Sequence, residues 1–161
     1  MKAKKVALYS ILVVLALILS YVEALLPLSF AVPGIKMGLP NIVVLFALYR
    51  LGARDAAVIS LVRVLLASLL FGNFFSLAYS LAGAALSLLL MLLLKKSGKF
   101  SVTGVSVAGG VAHNAGQILV AMVLLETAEI GYYLPVLCVS GTAAGICVGL
   151  LAALLLRRIK I

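Results

Sequence analysis

The sequence predicts an all-α integral membrane protein: a single transmembrane domain over residues 1–161, with six crossing helices and both termini cytoplasmic. Three observations carry that reading. The chain is 66% hydrophobic, where a soluble domain is about 45–50% apolar, and its mean hydropathy is +1.34. Eleven of its 13 lysines and arginines gather in four clusters separated by apolar stretches: Lys2/Lys4/Lys5, Arg50/Arg54, Lys95/Lys96/Lys99 and Arg157/Arg158/Lys160. Lysine and arginine are retained on the cytoplasmic side of a membrane, so each cluster marks a cytoplasmic point and each gap an excursion out and back. Turn residues then punctuate the apolar runs at Gly52, Gly72-Asn73, Ser97-Gly98 and Gly131. The same charge rule accounts for the net charge of +9, so nucleic acid is not an expected partner and a lipid bilayer is.

Helix one is expected over 6–26. Its basic start resembles a secretion signal, but the apolar run Val6–Val22 exceeds the usual core of about 7–15 residues. No small-x-small cleavage site follows, so the segment is read as a retained span. The connection from Pro27 to Pro40 holds three prolines and two glycines and is too apolar for a solvated loop. It reads as a re-entrant or cavity-capping segment, because irregular backbone at membrane depth needs protein or water beside it. Pro33, Gly34, Lys36 and Gly38 are its expected gate residues.

Helices two and three are expected over 38–51 and 55–71, both short for a bilayer that takes about 20 residues per crossing. Helix four, 74–94, follows the tight turn Phe71-Gly72-Asn73. Helices five and six, 101–126 and 132–156, carry small residues at four-residue spacing: Gly104, Ala108, Ala112 and Gly116 on one, Gly141, Gly145, Gly149 and Ala153 on the other. Such stripes let backbones approach closely. Mutual packing of helices five and six is the expected use, and docking of another membrane subunit the alternative. Ala3 and Ala7 form a shorter pair on helix one. Cys138 and Cys147 stand about 13 Å apart along one helix, too far for a disulfide, and read as packing residues. Glu23, Glu126 and Glu129 fall at expected outer ends and Asp55 at an inner one. No internal repeat is evident.

Lys36 and Arg63 break the charge pattern. Arg63 is expected near the midplane, where a charge costs at least about 2.5–3.5 kcal/mol and normally faces protein or a wet cavity. It is expected there either satisfied by carbonyls or a buried acid, or binding an anionic or polar ligand. His113, Asn114 and Gln117 form the densest polar group within a span, on one side of helix five. They read equally as interhelical hydrogen bonding or as ligand contacts. Asn41, Asn73, Ser76 and Tyr79 join them toward the outer half. Together these residues describe a pocket open to the outside, with Arg63 near its floor and an inner half poor in polar groups. No metal site is expected, since His113 is the only histidine and has no cysteine or carboxylate at ligand spacing. No Gly-Lys-Ser/Thr phosphate loop is present. The single aspartate cannot make the carboxylate cluster that magnesium-dependent diphosphate chemistry uses. No catalytic residues are therefore assigned, and stand-alone catalysis is not expected.

The runs Pro33-Gly34-Ile35-Lys36-Met37-Gly38-Leu39-Pro40-Asn41, Arg63-Val64-Leu65-Leu66, Phe71-Gly72-Asn73, Ser76 to Gly83, Gly104 to Gln117 and Tyr132-Tyr133-Leu134-Pro135 resemble the Gx transporter family of bacterial membrane proteins, often labelled heptaprenyl diphosphate synthase component I. The resemblance covers essentially the whole chain. The family is grouped with the substrate-binding S components of energy-coupling-factor (ECF) transporters. The resemblance implies a multi-pass subunit of the bacterial cytoplasmic membrane that captures a small polar or anionic molecule from outside, possible isoprenoid precursors included. It implies docking on an ECF coupling subunit driven by two cytoplasmic ATPases, with ATP on those partners and no cofactor in this chain. S components often dock through an Ala-x-x-x-Ala pattern on helix one, which Ala3 and Ala7 match. The synthase label implies the alternative: a non-catalytic membrane component beside a soluble polyprenyl synthase.

Overall fold

The computed structural model describes residues 2–25 and 38–159. Six α-helices run along them: α1 Lys2–Leu25, α2 Asn41–Arg50, α3 Ala53–Phe71, α4 Phe74–Ser97, α5 Val102–Leu124 and α6 Leu134–Arg158. A 3-10 turn, Ala128–Tyr133, leads into α6, and no strand occurs among the described residues. Four segments are long and apolar enough to cross a membrane: Ala3–Leu25, Phe74–Ser97, Val102–Leu124 and Ala128–Arg158. The protein is thus a helical membrane protein. The expected gate residues Pro33, Gly34 and Lys36 lie outside the described residues.

The second helix is shorter than the expected 38–51. It has 10 residues, about 15 Å, which is half of a hydrocarbon core of about 30 Å. Pro40 takes its N-cap and Gly38 sits at φ 70°, so residues 38–40 turn instead of extending the helix. At the other end Gly52, at φ 110°, turns the chain into α3, a backbone state that L side chains avoid. Within α2 every residue from Ile42 to Leu48 is buried. A helix apolar on all sides is a core helix, and α2 packs against α1, α3 and α6.

All four basic clusters meet at one end of the bundle. Arg50 donates to the carbonyl oxygens of Leu156 and Ile159 at the end of α6. Lys95 donates to the Leu48 carbonyl and lies 4.9 Å from the Tyr49 ring centroid. Lys5 pairs with Asp55 at 3.4 Å. The turn between α4 and α5 carries Lys99 to the same end. Glu23, Asn73 and Glu129 belong to the opposite end, where α1 finishes, α4 starts and α5 turns toward α6.

The small residues of α5 and α6 pack differently from the simple pairing of two stripes. The α6 glycines do lie on α5, but against another face of it. A Cβ on Gly145 would stand 2.6 Å from the Val107 Cα, and one on Gly149 2.7 Å from the Thr103 Cα. Gly141 meets Gly110 and the Asn114 carboxamide. From the other stripe, Gly116 packs on Ala82 and Gly83 of α4. Ala112 is buried and Ala108 half-buried, while Gly104 has only ordinary contacts with Phe100 and Ser101 just before its own helix. The reason is the 100° turn per residue: α5 lies between α4 and α6, and successive small residues serve alternate neighbours. Ala3 and Ala7 are exposed on α1, as are Val6, Ile11 and Ile18.

Candidate functional site

Between the helices runs a cavity of about 200 Å³. Every helix contributes to its wall. α1 presents Ser20 and Glu23, α2 presents Asn41 and Leu45, and α3 presents Arg63, Val64 and Ser68. From α4 come Ser76, Ser80, Ser87 and Met91; from α5, Ser106, Gly109, His113 and Asn114; from α6, Gly141, Gly145 and Val148. A second cavity, of about 510 Å³, opens beside it between α4, α5 and the 3-10 turn. Its wall is apolar and aromatic, with Phe75, Tyr79, Ile118, Leu125, Ile130, Tyr133 and Leu137. Ser76 belongs to both walls.

Among the described residues, Arg63 is the one lysine or arginine on the central cavity wall. Its Nη2 donates to Asn41 Oδ1 at 3.3 Å, at the first turn of α2. Its Nε is buried with no hydrogen-bond partner among the described residues. Glu23 stabilises the guanidinium charge electrostatically, and its Oε1 accepts the Gly38 N–H. Among the described residues the guanidinium thus has Asn41 and the nearby Glu23 charge as partners, and its Nε donor is unused. A ligand carrying a carboxylate or phosphate group fits such a guanidinium, which offers five donors in a fixed fork.

The structure divides the site residues expected from sequence. Asn41, Arg63, Ser76, His113 and Asn114 line the central cavity, and Gly38 lies at its edge. Asn73, Tyr79 and Gln117 line the second one. His113 and Gln117 share a helix face and both pack against Gly83 of α4, yet they line different cavities. A Cβ on Gly83 would stand 2.8 Å from the His113 carbonyl oxygen and 3.0 Å from the Gln117 Cγ. Two of the expected ligand contacts have structural employment. Asn73 Oδ1 accepts the Ser76 N–H at 2.8 Å as the N-cap of α4. Asn114, itself buried, donates through Nδ2 to the Leu137 carbonyl at 2.6 Å and bridges α5 to α6. Lys36 lies outside the described residues.

Sequence reasoning named Ser76 and missed the other serine hydroxyls of the cavity. Ser20 returns its proton to Ala16, Ser10 to Val6, Ser140 to Leu137 and Thr142 to Cys138, the usual refuge of a hydroxyl on an apolar helix. Ser68, Ser80, Ser87 and Ser106 have no such bond among the described residues, and all four line the central cavity. These hydroxyls open onto the cavity, so this wall suits water or a polar ligand. The legible signal was the spacing of Ser76, Ser80 and Ser87, which puts them on one face of α4. The cavity passes Arg63 and continues to Ser87 and Ser106. Among the described residues, no three His, Cys, Asp or Glu side chains are grouped to hold a metal.

Neither a curated protein nor a solved structure matches the chain. The sequence model for heptaprenyl diphosphate synthase component I matches residues 12–155, nearly the whole length. The chain belongs to the heptaprenyl diphosphate synthase component I family.

Proposed function

We propose that this protein is the membrane-embedded, substrate-binding subunit of an ECF-type uptake transporter. The chain crosses the bacterial cytoplasmic membrane through six helical segments, with both termini and the basic end cytoplasmic. The gathering of all four basic clusters at one end supports that orientation. The half-length α2, held inside protein and beginning at the cavity, has the form of the broken helices that line substrate sites in membrane carriers.

One observation carries the reading: Arg63, within the membrane-spanning bundle, lines the cavity with a buried Nε that has no hydrogen-bond partner among the described residues. A charge at that depth is retained where it meets a ligand or an ion. The ligand is a small polar or anionic molecule, bound without bond making or breaking by this chain. Movement across the membrane then draws on a coupling subunit and two ATPases, which hold the ATP. Gentle purification followed by mass spectrometry of the extracted small molecules tests the binding role. A compound should accompany the wild-type chain and be lost from Arg63→Gln; identical extracts from both would end the proposal.

The description of the matched family favours a second reading, a non-catalytic membrane component of a heptaprenyl diphosphate synthase system. Affinity capture separates the two. Co-isolation of ATPases with a membrane coupling subunit supports uptake, and co-isolation of a soluble aspartate-rich synthase supports the second.

A further inference from the structure

Below Arg63 the cavity keeps a polar wall that neither reading explains. Arg63 stands about 12 Å from the α3–α4 turn along α3, and Ser87 about 20 Å from the same turn along α4. Ser87 is thus about 8 Å deeper. Ser106 comes from the second turn of α5, at the basic end of that helix. Both are almost wholly buried, at 3% and 5% exposure, and both line the cavity. Neither hydroxyl has a hydrogen-bond partner among the described residues. Gly109 lets the Met91 side chain and the Ser87 hydroxyl approach α5 closely, since a Cβ there would stand 2.7 Å from Met91 and 3.2 Å from the Ser87 Oγ. Unpaired hydroxyls within an apolar bundle are retained where something polar meets them.

We infer that Ser87 and Ser106 form the inner station of a two-station ligand site, so that the ligand is an elongated hydrophilic anion. Its carboxylate or phosphate group lies on Arg63. A hydroxyl, carbonyl or amide group about 8 Å away lies between the two serines. The inference rests on the binding role proposed above and narrows it. A ligand that is apolar beyond its charged group would leave both hydroxyls unmet, and the second, aromatic cavity would suit it better.

The test uses the full-length protein in lipid nanodiscs, with Cys138→Ala and Cys147→Ala removing the native thiols. Single cysteines are placed at Ser80, Ser87 or Ser106, a near-isosteric change made on two helices so that one misfolded variant does not decide the matter. Each is treated with an anionic sulfonatoethyl methanethiosulfonate and a cationic trimethylammonioethyl one. Every rate is normalised to that reagent's rate with free cysteine. Ser87→Cys and Ser106→Cys should react, with the anionic reagent favoured about fivefold by the nearby guanidinium. Adding Arg63→Gln should abolish that preference. Reaction at Ser80→Cys but at neither deeper position overturns the inner station and leaves the binding role standing. No reaction at any of the three overturns both. Reaction at the deeper positions with no dependence on Arg63 also overturns the inference, because the two stations would not share one path.

Discussion

Between α5 and α6 the chain meets itself backbone to backbone: a Cβ on Gly110 would stand 2.5 Å from the Gly141 carbonyl oxygen, and one on Gly145 2.6 Å from the Val107 Cα. Between α1 and α3 the contacts are made by side chains, as where the Tyr21 and Phe71 rings tilt together with centroids 5.2 Å apart. The first kind of seam has no slack, since a close-packed backbone contact has one geometry. The second can repack. The cavity lies between these halves, and they supply it with different things. The α4–α6 block provides a fixed wall of hydroxyls and bare backbone. The α1–α3 half provides the charge, through Arg63 and Glu23, which no close backbone seam of that kind holds. A binding site built this way has a rigid template on one side and an adaptable ionic partner on the other.

The largest effect should come from breaking the tight seam. Gly145→Leu places four carbons where none fits, and the α5–α6 block cannot form. The variant should fail to give a monodisperse peak in size-exclusion chromatography. Gly145→Ala should fold but lose about 1–3 kcal/mol, the usual cost of overpacking, read as a lowered thermal midpoint in detergent. A tolerant Gly145→Leu would mean that the two halves do not differ in the way described.

Next in size is Arg63→Gln, which acts on the charged half. It removes the guanidinium from the cavity and should cost ligand binding about 1.5–3 kcal/mol, the worth of hydrogen bonds to a charged group. Stability should fall as well, because removing one member of a buried charge pair leaves Glu23 without its guanidinium; the Glu23 bond to the Gly38 N–H persists and keeps that loss short of unfolding. Titration of the co-purifying molecule and thermal unfolding separate these two effects. A collapse in stability with unchanged affinity would make Arg63 a structural residue instead.

Smaller again is Asn114→Ala, within the tight block. The bridge to the Leu137 carbonyl is buried, and interhelical hydrogen bonds in membrane proteins average about 0.6 kcal/mol, reaching about 1.7. The expected loss lies in that range, with little change in binding, since the Nδ2 is already engaged by protein. A large loss of affinity with stability intact would return Asn114 to the ligand.

Much of this architecture is legible in the chain itself. Charge spacing located the turns that the basic end brings together, and the family motifs covered what the sequence model matches. Period and hydropathy read each helix singly, however, and the pairing of helices is a property of the assembled bundle. His113 and Gln117 share a face by arithmetic and both pack on Gly83 of α4, yet they line different cavities. Except for Ser76, the cavity serines escaped notice for a related reason. A serine on an apolar helix normally bonds its own backbone, and nothing in the letters separates Ser20, which does, from Ser87, which does not. The short α2 was misjudged at its start because Gly38 and Pro40 can begin a helix as readily as delay one.

The smallest expected effect sharpens the comparison most. Gly104 and Gly145 look alike in sequence, each a member of a four-residue stripe of small side chains. A Cβ on Gly104 would meet nothing nearer than 3.5 Å, ordinary contact with the capping Ser101 and with Phe100. Gly104→Ala therefore adds no clash and removes glycine's conformational freedom from the unfolded chain, a gain of about 0.4–1 kcal/mol where the backbone is compatible. The Ser101 hydroxyl that accepts the Gly104 N–H at 3.1 Å stays in place, since the bond is to the backbone. Thermal unfolding of Gly104→Ala beside Gly145→Ala should then give shifts of opposite sign from the same substitution. Equal losses at both would mean that residue type governs this bundle and the difference between seams does not. Opposite signs would show that a small residue matters here only where a neighbouring backbone has moved into the space it leaves.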